Sequence, residues 1–569
     1  MVNFIPGYYK QILFLLIIKI SLTESNIVVR SGCKGNLNLS YKLIFMTKEK
    51  CKYFFKLNKF LLVIFFSVIF FDAAFSQSSS QSGWINIKNF GATGDGKTLD
   101  TRSINNAIDA AVKAGGGTVL FPAGTYLSYS IHLKSNICLY LDQGCILLAA
   151  DSAAGGKYDA PEPNAFDKYQ DFGHSHWRNS LIWGENLENI SIIGAGIING
   201  KGLARFASER RPVGNKTISL KLCKNVILKD FTILNGGHFG ILATGVDNFT
   251  IDNLKMDTNR DGMDIDCCYN VRISNCTVNS PYDDAIVLKS SFALGYNRST
   301  QNVTITNCQV SGYDLGTFYN GTYQRKEWNK VPDHEGPTGR IKFGTESNGG
   351  FKNITISNCV FEFCRGLALE TVDGALLEDV TISNITMREV TNSPIFLRLG
   401  GRMRGPEGTP IGALRRVMIN NVIAYNADAH FATLISGLPG HDIEDVKLSN
   451  IRIYYRQIDS PLAKIQTVVP EYEKDYPEPQ KMGVMPAYGF FIRHAKNIEL
   501  NNVEISYMGK ETRSPILLED VKGIDIFRVK AQTPQNVKTI ILKNVEDFHL
   551  TQTLGIKNKR IKKAGNKSL

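Results

Sequence analysis

Three aspartates recur at a spacing that could bring their carboxylates together. Asp261 lies within Asn259–Asp264, and the pair Asp283–Asp284 begins 22 residues after Asp261. Carboxylates held close together repel one another, which raises the pKa of one while others stay ionised. Glycoside hydrolysis needs one protonated and one ionised carboxyl group at the bond that is cut. The same cluster would also suit a calcium ion in β-elimination on a uronate, a structural calcium ion, or a solvated acidic turn.

The spacing of 22 residues matters because the chain repeats short strands at the same interval. The pattern is Asn, a Val, Ile or Phe, any residue, then Ile or Leu, and its steps are 23 and 22 residues from Asn225 through Asn248 to Asn270. A period in the low twenties with alternating apolar residues is typical of a β-solenoid coil. We therefore predict an all-β fold, a right-handed parallel β-helix. In it, Asp261 and the Asp283–Asp284 pair would stack about one strand spacing, ~4.8 Å, apart.

The asparagines and cysteines of the repeats have structural interpretations. An asparagine at the start of each strand can hydrogen-bond the turn and stack coil on coil. Cys276, Cys308 and Cys359 each follow an asparagine in the same frame of the repeat. This regularity predicts a buried ladder of thiols, and the spacing does not suit a zinc site.

The open N-terminal end of such a solenoid requires a cap. Residues 101–114 are predicted to form an amphipathic helix, which Gly115–Gly117 would end. Its apolar face would carry Ile104, Ala107, Ile108 and Ala111. Because these glycines follow a helix instead of opening one, they do not form a phosphate-binding loop.

The N-terminal region is predicted to be a targeting segment. Residues 46–76 combine a basic stretch, an apolar run and small residues, the layout of a secretory signal peptide. Residues 1–45 then look like an over-long start, 84–550 would form the catalytic β-helix, and 551–569 would be a frayed basic tail. We expect a secreted or periplasmic protein with no membrane span after cleavage.

The composition and charge of the chain indicate which kinds of partner it can bind. The 569 residues are 43% hydrophobic and 21% charged, with a formal net charge of +12. Residues 1–76 contain ten Lys/Arg and three Asp/Glu, a surplus of +7, which leaves about +5 on the remainder. This mild charge argues against nucleic acid and is compatible with an acidic polysaccharide. We expect a monomer that needs neither a cofactor nor a metal.

The order of the motifs resembles that of polygalacturonases of glycoside hydrolase family 28, over roughly residues 84 to 510. The resemblance rests on Asn89–Thr98, Gly115–Tyr126, the Asn-x-Asp-Gly at 259–262 and the Asp-Asp pair. It implies hydrolysis of a pectin-type polysaccharide of the plant cell wall by single displacement with inversion. It also implies that Asp283 is the general acid, that Asp261 and Asp284 activate water, and that Asn259 shapes the site.

Two family features are altered in this chain. The Gly-His-Gly that usually follows the acidic pair by one coil is missing. A literal Arg-x-Lys occurs at Arg340 and Lys342, whereas strand-by-strand alignment places Ala368 and Glu370 at the family's Arg-x-Lys positions. These departures leave open an exo-acting enzyme or one acting on rhamnogalacturonan.

Further substrate contacts are expected from basic and aromatic residues. Arg340, Lys342, Arg365 and Lys289 are candidates to bind a substrate carboxylate. His174 and Trp177, in the loop 156–179, are candidates to wall the cleft and stack on sugars. Two alternatives remain open, a calcium-dependent uronate lyase and a non-catalytic β-helix that binds glycans.

Overall fold

The computed structural model describes residues 84–171, 173–205, 214–326, 336–458 and 464–569, and the backbone of three strands nearer the N-terminus. Those strands, Ile17–Thr23, Asn26–Gly32 and Phe45–Met46, form an antiparallel sheet in a unit separate from residues 84–569. Apart from Met46, the predicted signal peptide lies outside the described residues, so it stays a prediction, as does the interpretation of residues 1–45.

From Trp84 to Thr551 the strands pair in parallel with the strand one coil further along, which builds three stacks. The first stack contains Ile131–His132, Ile182–Glu185, Lys216–Lys221, Phe239–Thr244, Asp261–Asp266, Ile286–Ser290, Ile341–Ser347, Leu367–Thr371, Ile395–Leu399 and Thr433–Ser436. The second contains Trp84–Asn86, Gly117–Phe121, Ile137–Leu141, Glu188–Ile193, Lys224–Lys229, Asp247–Asp252, Tyr269–Ser274 and Thr300–Thr306. The third contains Asp95–Leu99, Gly124–Ser128, Cys145–Ala149, Ile197–Asn199, Thr232–Leu234, Lys255–Asp257, Thr277–Asn279, Gln309–Ser311 and Lys530–Ala531.

In the later coils, longer strands bend and contribute to more than one stack. They are Phe351–Glu362, Leu376–Arg388, Ala413–Ala427, Ile443–Tyr455, Ala487–Tyr507, Ser514–Phe527 and Ile540–Thr551. The prediction of a parallel β-helix is confirmed.

Alternation within each strand decides which side chains enter the core. Met263 and Ile265 lie fully buried in the single large core, as do Ile341 and Phe343 two coils later. The residues between them therefore point away from the core, because successive side chains of a strand face opposite sides. This rule places Asp264 and Lys342 on the outer face of the first stack.

The asparagine ladder forms as predicted. The Asn248 side chain donates to Asn225 at 2.9 Å and accepts from Asn270 at 2.7 Å. All three residues have left-handed backbone, with φ between 53° and 60°, a conformation that asparagine tolerates better than most residues.

Buried thiols line the interior of the coils. The nine cysteines among the described residues are free, and eight of them are buried. Cys308 interacts with both Cys276 and Cys359. The interaction with Cys276 and burial raise the pKa of the Cys308 thiol to about 12, against the lowering effect of Cys359. The predicted thiol ladder is therefore present.

The two ends of the solenoid are covered in different ways. The helix Thr101–Lys113 buries Ile104, Ala107, Ile108 and Ala111 against the first coils, as predicted. At the other end the prediction of a frayed tail was wrong, because Lys559–Ser568 pairs antiparallel with Ile540–Thr551. An open parallel edge exposes unpaired backbone groups, and this lysine-rich strand satisfies them.

The remaining regular elements are short. They are the helix Pro479–Met482 and the 3-10 turns Ile87–Phe90, Ser152–Ala154 and Asp167–Tyr169. Among the described residues, no helix is both long and apolar enough to cross a membrane.

Candidate active site

The three aspartates meet at the start of two adjacent strands of the first stack. Asp261 opens one strand, and Asp283 and Asp284 lie in the turn that leads into the next. The backbone N–H of Asp284 donates to Asp261 Oδ1 at 3.1 Å and to Asp283 Oδ1 at 3.0 Å. One carboxylate oxygen from each residue lies within 4.8 Å of the others. The structure therefore brings together the trio that the 22-residue spacing predicts.

Each aspartate of the trio has a different electrostatic environment. Arg260 Nε lies 3.2 Å from Asp283 Oδ2. Arg340 Nε donates to Asp284 Oδ1 at 2.8 Å, and Lys342 Nζ lies 3.5 Å from Asp284 Oδ2. Burial raises the pKa of Asp261 well above its ordinary value, and the negative charges of Asp283 and Asp264 raise it further. Three identical side chains thus lie in three different environments, and acid–base catalysis by carboxyl groups depends on such differences.

Arg340 and Lys342 belong to the coil that directly follows the aspartate pair. Lys342 pairs with Val287 on one side and with Ala368 on the other. The literal Arg-x-Lys therefore occupies the coil where the family usually has Gly-His-Gly. Glu370 lies in the next coil, where alignment placed it.

Glu370 and Glu478 surround these two cations with negative charge. Glu370 lies 3.4 Å from Lys342 and 3.8 Å from Arg340, and burial raises the pKa of Glu370 to about 7 against the opposing effect of both cations. Glu478 Oε1 lies 2.5 Å from Arg340 Nη2 and 3.0 Å from Arg365 Nη1. Despite its burial, the neighbouring Arg340, Arg365 and Lys342 lower the pKa of Glu478 to about 2.

Sequence reasoning missed Glu478 and its neighbour Tyr476. The Tyr476 hydroxyl accepts a hydrogen bond from Lys342 Nζ at 3.1 Å. Both residues lie in the connection that precedes Ala487–Tyr507, and Glu478 is 138 residues from Arg340. This connection carries no repeat pattern, so nothing in the sequence placed it at the site.

A second charged cluster lies beside the trio on the same outer face. Lys289 is buried between Asp264, at 3.5 Å, and Glu346, at 3.2 Å, and its Nζ contacts the His174 ring. His174 Nε2 lies 3.4 Å from Asp264 Oδ2. Of the predicted substrate contacts, Lys289 and His174 are therefore near the trio. Lys289 Nζ and His174 Nε2 already face protein partners, whereas His174 Nδ1 has none among the described residues.

Asn259 and Trp177 have structural contacts in this structure. The Asn259 side chain accepts from the backbone N–H of Gly237 at 3.1 Å, which holds the turn before Phe239. Trp177 is 1% exposed, and its Nε1 donates to Thr244 at 3.1 Å. The Trp177 ring packs beneath the loop, so its face is not available for stacking on a sugar in this conformation.

The trio has the composition of a cation site, but two of its members already face cations. Arg260 lies at Asp283, and Arg340 and Lys342 lie at Asp284. A divalent ion would have to bind beside these positive charges and would be repelled by them. The arrangement therefore suits proton transfer better than calcium binding.

Comparison with known proteins gives this geometry a context. Residues 84–314 match the family model described as "Rhamnogalacturonase A/epimerase, pectate lyase-like". A probable polygalacturonase of Vitis vinifera is 27% identical over 326 residues, which are 53% of this chain and 64% of the relative. An exo-poly-alpha-D-galacturonosidase of Dickeya chrysanthemi is 34% identical over 173 residues, 29% of this chain and 28% of that one. The matches thus span less than two thirds of these relatives.

The chain is polygalacturonase-like. The resemblance to glycoside hydrolase family 28 that the motifs indicate is thereby confirmed. The solved structure of the family 28 exopolygalacturonase of Yersinia enterocolitica matches with a TM-score of 0.58 and 19% identity, covering 88% of this chain and 83% of that one. An exopolygalacturonase from Thermotoga maritima matches at 0.54 and 17%, covering 86% and 96%. These structures confirm the right-handed β-helix of the polygalacturonase-like chain.

Proposed function

We propose that the protein is an exported glycoside hydrolase that cuts a pectin-type polysaccharide from a chain end. The observation that carries this proposal is the carboxylate trio Asp261, Asp283 and Asp284, one coil apart on a polygalacturonase-like β-helix. The predicted signal peptide supports export. The similarity to a probable polygalacturonase and to an exo-poly-alpha-D-galacturonosidase supports a pectin-type polymer as the substrate.

In the proposed mechanism, Asp283 protonates the glycosidic oxygen as the bond from the anomeric carbon to that oxygen breaks. A water molecule attacks the anomeric carbon, and Asp284 takes the proton that this water loses. Asp261 orients the water. The cations beside Asp284 compensate its charge, while Asp283 is the most exposed of the three, with 13% of its side chain accessible.

The stereochemical outcome tests the assignment of the acid and the base. Most inverting glycosidases separate the two carboxyl groups by roughly 6.5–9.5 Å to admit a water molecule. The nearest oxygens of the trio are within 4.8 Å of one another, so the water would be held at the edge of the trio. We propose inversion, in line with the family resemblance.

We expect incubation with polygalacturonan and rhamnogalacturonan fragments to produce new reducing ends without absorbance from unsaturated products. Chelation of divalent ions should leave the rate unchanged, because the proposed chemistry uses only side chains. Proton NMR of the first product should show the inverted anomer. Unsaturated products that disappear on chelation would instead establish a calcium-dependent lyase, and retention would exclude the single displacement.

Two segments contact the outer face of the first stack and support our proposal of attack at a chain end. Glu478 and Tyr476 come from a later coil and lie against Arg340 and Lys342, on the later-coil side of the trio. On the outer face, Asp171 forms a 2.6 Å ion pair with Arg404. This pair links the loop 156–179 to the segment after Ile395–Leu399, a strand that lies seven strands after Ile182–Glu185 in the stack. We propose that the first of these segments closes one end of the substrate site, so that the polymer is cut from its end.

We therefore expect the protein to release a product of one size from the end of the polymer, from the start of the reaction. Sizing the products at a few per cent conversion should show a single small saccharide, and the viscosity of the solution should fall slowly. A substrate whose chain ends are chemically blocked serves as the control and should resist cleavage. A ladder of oligosaccharides at early times would contradict the proposal of exo-action.

A further inference from the structure

The cations beside the trio on its later-coil side are paired with carboxylates of the protein itself. Arg340 contacts Asp284, Glu370 and Glu478, Lys342 contacts Asp284 and Glu370, and Arg365 contacts Glu478. Three carboxylates thus face three cations. A sugar carboxylate that entered this cluster would need a cation that is already engaged.

Glu478 holds the position that a substrate carboxylate would be expected to take. Its carboxylate lies between two guanidinium groups, the arrangement by which arginine binds carboxylates. Arg340 and Arg365 are each 2% exposed, and Glu478 is 8% exposed. Because the cluster is buried, charge interactions inside it are weakly screened, so a fourth carboxylate would be repelled by Glu478 and Glu370.

The buried carboxylate of Glu370 also favours an uncharged sugar over a charged one. Its side chain is fully buried, and neither of its carboxylate oxygens has a hydrogen-bond partner within the described residues. Buried polar atoms without a partner are costly, and these oxygens can only accept hydrogen bonds when the group is ionised. Sugar hydroxyls are donors and would satisfy such oxygens, whereas another carboxylate would not.

The cations of the second charged cluster, Lys289 and Arg402, are also paired. Lys289 lies between Asp264 and Glu346. Arg402 donates to Asp373 through both Nε, at 3.0 Å, and Nη2, at 2.5 Å. Arg402 Nη1 has no hydrogen-bond partner among the described residues, but Lys289 and Arg402 each already face a carboxylate of the protein.

From this pairing, and on the basis of the proposed function, we infer that the subsite lined by Glu370 and Glu478 takes a sugar unit that is uncharged at C6. The substrate class would be a pectin-type chain that carries a neutral sugar or an esterified uronate at this position. Glu478 would act as a specificity-determining residue, since it fills the arginine pair that would otherwise bind a free uronate.

The test compares probes that differ in the charge of their sugar units. Trigalacturonate and its carboxyl-reduced form have the same linkages, but every carboxylate of the first is a hydroxymethyl group in the second. An alternating oligosaccharide of galacturonate and a neutral sugar is the third probe. We expect the wild-type protein to hydrolyse at least one probe with a neutral sugar about tenfold more efficiently, in kcat/KM, than trigalacturonate.

The decisive variant is Glu478→Gln, which removes the charge and keeps the shape. It should raise kcat/KM for trigalacturonate about tenfold and leave the values for the neutral-containing probes nearly unchanged. Glu478→Asp should keep the wild-type preference. Glu473→Gln, an exposed position in the same segment, is the matched control, and thermal unfolding shows that each variant is folded. Preference of the wild-type protein for trigalacturonate, with no gain in Glu478→Gln, would overturn the inference.

A binding measurement separates this inference from the proposed function. If the wild-type protein hydrolyses none of the probes, the proposed hydrolase activity fails. Calorimetric titration of the Asp283→Asn variant with the same probes then decides the inference alone. Tighter binding of a neutral-containing probe would support it, whereas tighter binding of trigalacturonate, or binding of none, would overturn it.

Discussion

Replacing Asp283 with asparagine should lower kcat by about 10²- to 10⁴-fold, the usual contribution of a general acid. Asparagine keeps the shape of the side chain, and its Oδ1 can still accept from the backbone N–H of Asp284, at 3.0 Å in the wild type. It lacks the proton that the leaving oxygen requires. KM should therefore change little, because the loss falls on the transition state. Release of reducing ends measures both parameters.

Two controls make this result specific for an acid. Asp230→Asn alters an exposed aspartate of the outer ladder, which accepts from Asn253, and should leave kcat unchanged. An aryl glycoside with a good leaving group needs little protonation, so it should be cut by Asp283→Asn at nearly the wild-type rate. Equal losses on both kinds of substrate would show that Asp283 does not act as the acid.

Replacing Lys289 with methionine should destabilise the protein by about 3–5 kcal/mol, the cost of leaving buried charges without their partner. Lys289 is 6% exposed and lies between Asp264 and Glu346. Without Lys289, the buried carboxylates of Asp264 and Glu346 lack the cation that lies between them. Denaturant unfolding at pH 7 measures the loss of unfolding free energy.

The pH dependence of this loss follows from the pKa of Glu346. Lys289, His174 and Arg402 lower that pKa well below its ordinary value, in spite of burial. The stabilisation from Glu346 is therefore present above its unfolded pKa, about 4.3, and is lost as pH falls through its folded pKa. The penalty of Lys289→Met should shrink as the pH falls from 7, because burial without Lys289 raises the folded pKa of Glu346 in the variant, which can then take up a proton.

A double variant is the matched control for this prediction. Lys289→Met combined with Glu346→Gln removes one charge of each sign and should recover part of the lost free energy. The single change Glu346→Gln shows what the carboxylate contributes by itself. If Lys289→Met unfolds like the wild type at pH 7, the buried ion cluster does not stabilise the fold.

The sequence by itself determined the coil, its register and the trio. Alternating apolar residues and the asparagine before each strand are local signals, and the 22-residue step between Asp261 and Asp283 converts directly into one coil. The helix Thr101–Lys113 was equally readable, because its apolar face has helical periodicity. These features depend on neighbours along the chain or one repeat away.

Only the tertiary structure decided what surrounds the trio. Glu478 reaches Arg340 across 138 residues, and His174 reaches Lys289 across 115. The strand Lys559–Ser568 looked like a basic tail until the open edge of the last coil gave it a partner. Such segments have no period of their own, and their position is fixed by charge pairing and by backbone groups that need hydrogen bonds. The repeat therefore specifies where the trio lies, while the connections between repeats determine which charged residues surround it.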